Sequence, residues 1–143
     1  MEEFIQSIYS VLKRGEGRLD ESYYMYVKRA DDVVTIEIAH TPTIKIEVDK
    51  DADLEDVARE VATIIVQKMS EKVADWVLDD SLHDEYETPL YRVLDDDPSY
   101  FYLNRDGQFV CGVDGGDEVE YDLEGIDDKK SEIAELVENW MWL

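Results

Sequence analysis

The spacing of apolar residues changes along the chain, and this change limits the possible folds more than any other feature. In Thr43–Val48 apolar and polar residues alternate strictly, which is typical of a strand with one buried and one solvated face. From Asp53, a candidate N-cap, to Val77, apolar residues recur at helical spacing over about six turns. The middle of this helix is apolar on more than one side, as in a central core helix. The chain therefore predicts an α+β fold with antiparallel sheet.

Further elements lie on both sides of this long helix. Helical spacing predicts a first helix around Phe4–Leu12 that ends near Gly15, and a last helix that begins near Asp128. The polar stretch Gly15–Glu21 predicts a loop. Strands are predicted at Tyr23–Lys28, Val33–Ala39, Thr43–Val48, Tyr100–Leu103, Phe109–Val113 and Val119–Leu123, and Pro89–Leu94 is either a short strand or an extended linker. The predicted order is α-βββ-α-(β)βββ-α, with antiparallel meanders and three helices.

Two interpretations of the domain organisation stay open. A length of 143 residues predicts a single domain, 1–143. The two three-strand runs begin with Ser22-Tyr23-Tyr24 and Ser99-Tyr100-Phe101, and each leads through an acidic turn into a helix. This parallel favours an internal duplication with halves 1–78 and 79–143. The alternative is that any two antiparallel meanders share such an order.

The charge of the chain excludes several classes of function. The formal net charge is -23, with 37 acidic and 14 basic residues. Direct binding of nucleic acid is excluded because each phosphate contact needs Lys or Arg, and an anionic membrane would repel the chain. The acidic N-terminus does not resemble a signal peptide, and no apolar run is long enough to span a bilayer. We therefore expect a cytoplasmic protein.

The negative charge is concentrated in one part of the sequence. Residues 1–78 carry 17 acids and 10 bases, net -7, whereas residues 79–143 carry 20 acids and 4 bases, net -16. Between Asp79 and Asp128 there are 17 acids and two bases, Arg92 and Arg105. Such a region predicts a negative surface that binds a basic partner protein, as an inhibitor that mimics DNA in a nucleic-acid groove. The predicted partner-binding residues are Asp79, Asp80, Asp84, Glu85, Glu87, Asp95, Asp96, Asp97, Asp114, Asp117, Glu118 and Glu120. The alternative is an acidic surface that provides solubility or suits a halophile.

Residues with catalytic or metal-binding chemistry form no recognisable motif. His40 and His83 are 43 residues apart and have no triad-like neighbours. Cys111 lies in a predicted strand and is interpreted as a small apolar core residue. The aspartates at 95–97, 114 and 117 do not fit the calcium-loop pattern, so no metal site is predicted. We expect no enzymatic activity and no cofactor.

Aromatic residues and a topological resemblance support a second hypothesis. Tyr23, Tyr24 and Tyr26, and then Tyr100, Phe101 and Tyr102, place aromatic rings on both faces of a strand, and Trp142 and Leu143 exceed what one helix face needs. The segments 102–110 (YLNRDGQFV) and 121–127 (YDLEGID), followed by a helix with Glu135-Leu136-Val137-Glu138, resemble the last strands and final helix of the type III secretion chaperone-like superfamily. The resemblance implies a small, acidic, non-catalytic homodimer that holds a partner protein. The acidic insert from Asp79 to Pro98 departs from that family, and no functional residue is carried over.

Overall fold

The computed structural model describes residues 2–20, 24–39, 41–79, 99–113 and 116–142. The described residues form three helices and seven strands, which build two antiparallel sheets and confirm the predicted α+β fold. In chain order the elements are α1 (Glu2–Arg14), β1 (Glu16–Asp20), β2 (Met25–Ala30), β3 (Val33–Ile38), β4 (Ile44–Glu47), α2 (Leu54–Leu78), β5 (Ser99–Leu103), β6 (Phe109–Val113), β7 (Glu118–Tyr121) and α3 (Lys129–Trp142).

The chain divides into two compact units, Met1–Ile65 and Val66–Leu143, and the division falls within α2. The single domain and the repeat halves 1–78 and 79–143 both stay predictions. Among the described residues, no helix is both long and apolar enough to cross a membrane.

The first unit contains a four-stranded sheet in the order β1-β2-β3-β4, with every neighbouring pair antiparallel. Helix α1 packs against β1 and β2. The alternation predicted for Thr43–Val48 is present in β4, where Ile44 and Ile46 are half-buried and Lys45 and Glu47 are exposed. Apolar side chains of α1 and of one face of the sheet are buried, namely Phe4, Ile8, Val11, Leu12, Met25, Val27, Val34, Ile36 and Ile38.

The loop predicted at Gly15–Glu21 is wrong, because Glu16–Asp20 forms strand β1. Gly15 ends α1 with φ of +98°, a backbone conformation that favours glycine, and its carbonyl oxygen accepts a hydrogen bond from the Arg29 amide at 2.6 Å. Gly17, opposite Val27, lies against the Val11 side chain. The strand lies at the edge of the sheet with polar side chains on one face, so it lacks the apolar alternation that identifies strands.

The second unit contains a three-stranded sheet in the order β5-β6-β7 and helix α3, which packs against β6. The Trp140 Nε1–H donates to Ser99 Oγ at 3.3 Å, so α3 covers the face of the sheet that carries Ser99. Inside this unit the buried hydroxyl of Ser70 donates to the Val66 carbonyl oxygen at 2.7 Å and lies 3.7 Å from Met141 Sδ. Val66, Met69, Val73, Ala74, Val77, Phe101, Phe109, Val110, Cys111, Leu123, Ile133, Val137 and Met141 are buried.

Local residue patterns predicted the start of α2 and the turn between β5 and β6 correctly. Asp53 caps α2, since its Oδ1 accepts the Glu55 amide at 3.1 Å. The turn at Asn104–Gly107 joins β5 to β6, with Gly107 at φ of +77°. The predicted Tyr23–Lys28 strand begins at Met25, after Tyr24 at φ of +46°. Pro89–Leu94 lies outside the described residues.

Candidate protein-binding surface

The structure describes four of the twelve predicted partner-binding residues. Asp79, Asp117, Glu118 and Glu120 are all exposed. Asp79 directly follows α2, Asp117 precedes β7, and Glu118 and Glu120 belong to β7. The other predicted residues, Asp80, Asp84, Glu85, Glu87, Asp95, Asp96, Asp97 and Asp114, lie outside the described residues.

Glu118 and Glu120 share one face of the second sheet with two tyrosines. Residues paired directly across antiparallel strands lie on the same face. One row across the sheet contains Tyr100, Gly112 and Glu118, and the next contains Tyr102, Val110 and Glu120. We call these six residues the tyrosine–glutamate face. The face covered by α3 is the other one, which carries Ser99 and Phe101.

Tyr100 lies across β6 and reaches Glu118 on β7. Its hydroxyl donates to Glu118 Oε1 at 2.6 Å. A Cβ atom added at Gly112 would lie 2.4 Å from Tyr100 Cζ, so the ring passes directly over the Gly112 backbone. The absence of a side chain at Gly112 therefore permits the contact between Tyr100 and Glu118.

Tyr102 is the more exposed of the two tyrosines, with 40% of its surface accessible. Its ring stacks with that of Tyr100, with centroids 6.1 Å apart and planes 21° apart. Partial removal from water raises the pKa of Tyr102, and the negative charges of Glu118 and Glu120 raise it further. The phenol therefore stays neutral at physiological pH, and the two carboxylates lie close enough to act on it.

The polar face of the first sheet also carries tyrosines and glutamates, but there they are accompanied by Lys and Arg. The hydroxyl of Tyr26 donates to Glu16 Oε2 at 2.5 Å, and that of Tyr24 donates to Glu37 Oε2 at 3.3 Å. Arg18 places its guanidinium carbon 5.6 Å from the centroid of the Tyr24 ring. The four strands of this sheet contain four acids (Glu16, Asp20, Glu37, Glu47) and four bases (Arg18, Lys28, Arg29, Lys45). By contrast, β5, β6 and β7 contain two acids and no Lys or Arg.

The α3-covered face of the second sheet forms core. The rings of Phe101 and Phe109 stack with centroids 6.2 Å apart, and Cys111 is fully buried on this face. Burial raises the pKa of the Cys111 thiol to about 12, so the unreactive thiol predominates at neutral pH. The interpretation of Cys111 as a small apolar core residue is confirmed.

An open groove of about 600 Å³ lies within the second unit, along α2 and α3. Lys130 crosses between the helices to Asp75, with Nζ 2.8 Å from Oδ1, and this hydrogen bond raises the Lys130 pKa. The lining residues are Gln67, Ser70, Glu71, Asp128, Lys130, Ser131, Ala134, Glu135 and Glu138. Four carboxylates and one ammonium group thus line the groove. These four acids were absent from the predicted set, although the i, i+3 spacing of Glu135 and Glu138 places those two on one face of a helix.

Catalytic and metal-binding groups are not brought together in the part of the chain that the structure describes. No group of three or more His, Cys, Asp or Glu residues there is arranged to hold a metal ion. His40 and His83 lie outside the described ranges. The expectation of a non-enzymatic protein stays a prediction.

No protein-family model, no curated protein and no solved structure matches this chain. The resemblance to type III secretion chaperones accordingly stays a prediction from the sequence.

Proposed function

We propose that this chain is a non-enzymatic, acidic protein-binding module of the cytoplasm that inhibits a basic, nucleic-acid-binding protein by occupying its nucleic-acid groove. The observation that carries the proposal is the contrast between the two sheets. Acids and bases are equal in number on the strands of the first sheet, whereas the second sheet has glutamates, tyrosines and no base.

The arrangement of the exposed acids supports binding by charge complementarity. Glu118 and Glu120 lie two residues apart on one face of β7, as do successive outward side chains on any strand. The sequence around them has 17 acids and 2 bases between Asp79 and Asp128. Carboxylates on a sheet can occupy the positions of phosphates in a basic groove, and release of ions condensed around both proteins then favours association.

Capture from an extract of the source organism tests the proposal. The full chain is immobilised, the extract is applied at about 0.1 M NaCl, and bound proteins are eluted at about 0.5 M, where the Debye length is halved. We expect mass spectrometry to identify a basic, nucleic-acid-binding protein. Added duplex DNA should prevent its capture, because both ligands compete for one groove.

Two variants with the same change in net charge provide the control. Asp117→Asn, Glu118→Gln and Glu120→Gln remove three charges from β7 and its turn. Glu47→Gln, Asp51→Asn and Glu60→Gln remove three exposed charges from the first unit. We expect the first variant to bind the partner about 5- to 30-fold more weakly and the second to bind almost normally. Equal weakening of both, or capture that DNA does not prevent, would show that the acidic strand is not a DNA-like surface.

A second candidate function is a homodimer that holds a partner protein, as the resemblance implies. The exposure of Val119 and Tyr102, each 40% accessible on the second sheet, favours it. This function predicts a dimer by light scattering and an interface that tolerates about 0.5 M salt. A monomer at all concentrations would contradict it.

A further inference from the structure

The first sheet contains an internal example of how tyrosine and glutamate side chains bind a cation. The guanidinium of Arg18 lies over the Tyr24 ring, and the hydroxyl of the same tyrosine donates to Glu37. The positive group is thus attracted by the negative face of the ring, while a carboxylate lies beside that ring. Arginine suits such a place better than lysine because its planar, weakly hydrated guanidinium stacks on rings and pairs with carboxylates through two parallel hydrogen bonds.

The second sheet offers the same groups without a base on its own strands. Tyr102 and Glu120 are both exposed and lie at the two ends of one row across the sheet, whereas Val110 between them is buried. The backbones at the two ends of that row are two strand spacings apart, roughly 10 Å. Long side chains bridge this distance, as the 2.6 Å hydrogen bond between Tyr100 and Glu118 shows in the adjacent row.

We propose that the tyrosine–glutamate face binds an arginine side chain of the basic partner, with the guanidinium stacked on Tyr102 and paired with the carboxylates of Glu118 and Glu120. This inference rests on the proposed function and specifies the residue type that the face recognises. Charge complementarity selects a cationic occupant, and the exposed ring of Tyr102 selects a guanidinium over an ammonium group.

Nona-arginine and nona-lysine are probes with equal charge and different cations. Their binding to the full chain is measured by isothermal titration calorimetry at about 0.1 M NaCl, where surface charges are partly screened. We expect nona-arginine to bind more tightly. Tyr102→Leu should weaken nona-arginine about 2- to 5-fold, as expected for an exposed cation–π contact, and should change nona-lysine less. Tyr102→Phe keeps the ring and should keep the affinity.

Matched variants separate the arginine site from general attraction of charge. Glu118→Gln with Glu120→Gln should weaken both peptides. Tyr24→Leu removes an equally exposed ring from the first sheet, where Arg18 already lies, and should change neither affinity. Circular dichroism establishes that each variant is folded.

Three results would overturn the inference in distinguishable ways. If both peptides bind equally and Tyr102→Leu changes neither affinity, the face has no preference for arginine, and the proposed binding by charge is unaffected. An equal loss of nona-arginine affinity in Tyr102→Leu and Tyr24→Leu would show that the Tyr102 ring is not a specific site for arginine. Failure of both peptides to bind would contradict the proposed function itself.

Discussion

Gly112 is the residue that allows the tyrosine–glutamate face to form. Alanine in place of a strand glycine normally stabilises a protein by up to about 1 kcal/mol. Here the added Cβ would lie 2.4 Å from the Tyr100 ring, which is held by stacking on Tyr102 and by its hydrogen bond to Glu118. We therefore predict that Gly112→Ala destabilises the protein by about 1–3 kcal/mol in urea denaturation, since overpacking exceeds the gain in backbone entropy.

A double-mutant cycle isolates the contact between Gly112 and the ring. In a Tyr100→Ala background the ring is absent, so Gly112→Ala should become neutral or stabilising. Gly116→Ala is the control, because its Cβ would meet Val113 at an ordinary 3.4 Å. If Gly112→Ala lowers the free energy of unfolding equally in both backgrounds, its effect does not come from contact with the Tyr100 ring.

The burial of Cys111 should lower the reactivity of its thiol, which can be measured. Because burial raises the pKa of its thiol to about 12, the folded state keeps the proton that the unfolded state loses near pH 9. The stability that this group contributes is complete below about pH 9 and decreases as the pH rises towards 12. We predict that iodoacetamide modifies native Cys111 far more slowly than the urea-unfolded chain at about pH 8. Equal rates, followed by mass spectrometry, would show that the thiol is accessible.

At the scale of elements, the start of α3 depends on Asp128. Its Oδ1 accepts the Ser131 amide at 3.1 Å and its Oδ2 accepts the Ser131 hydroxyl at 2.8 Å. The backbone hydrogen bond, followed by the side-chain one, lowers the pKa of Asp128 below its usual 3.8. The stabilisation is therefore present above about pH 4 and is lost as the pH falls through the lowered value.

We predict that Asp128→Ala lowers the melting temperature by about 3 °C at neutral pH, as expected for loss of an N-cap. The difference from the natural chain should shrink as the pH approaches 3, because protonation weakens the cap. Asp127→Ala removes the adjacent exposed charge and should have little effect. If both variants have equal melting temperatures, Asp128 does not act as a cap.

The elements that the sequence predicted are those with a strong local signal. Strict alternation identified β4, and the glycine turn after Asn104 placed β5 and β6 correctly. Strand β1 was missed because an edge strand can carry polar side chains where only one face is covered. The tyrosine–glutamate face could not be predicted, since it depends on the register that places Tyr100 opposite Gly112 and Glu118. Cross-strand register depends on contacts between distant residues rather than on any local pattern.

At the scale of the whole molecule, the two sheets are antiparallel meanders of four and three strands, and their strands differ in charge. Each is antiparallel and is followed by a helix with an aspartate cap, Asp53 for α2 and Asp128 for α3. The first meander balances its acids with bases and the second does not. The internal duplication with halves 1–78 and 79–143 stays a prediction, since the first sheet has four strands and the second has three.

The net charge of -23 makes stability depend on salt, and the salt concentration that folding requires separates a binding surface from adaptation to high salt. Repulsion among carboxylates opposes the compact state, and ions screen it once the Debye length falls to about 10 Å, near 0.1 M salt. We predict a folded protein at about 0.02 M NaCl, by circular dichroism, and a melting temperature that rises by several degrees by about 0.5 M. Neutralising Asp117, Glu118 and Glu120 should reduce this gain more than neutralising Glu47, Asp51 and Glu60, because bases on the strands of the first sheet already offset its acids. Unfolding at low salt, with recovery only near molar concentrations, would favour the halophile interpretation and contradict this prediction.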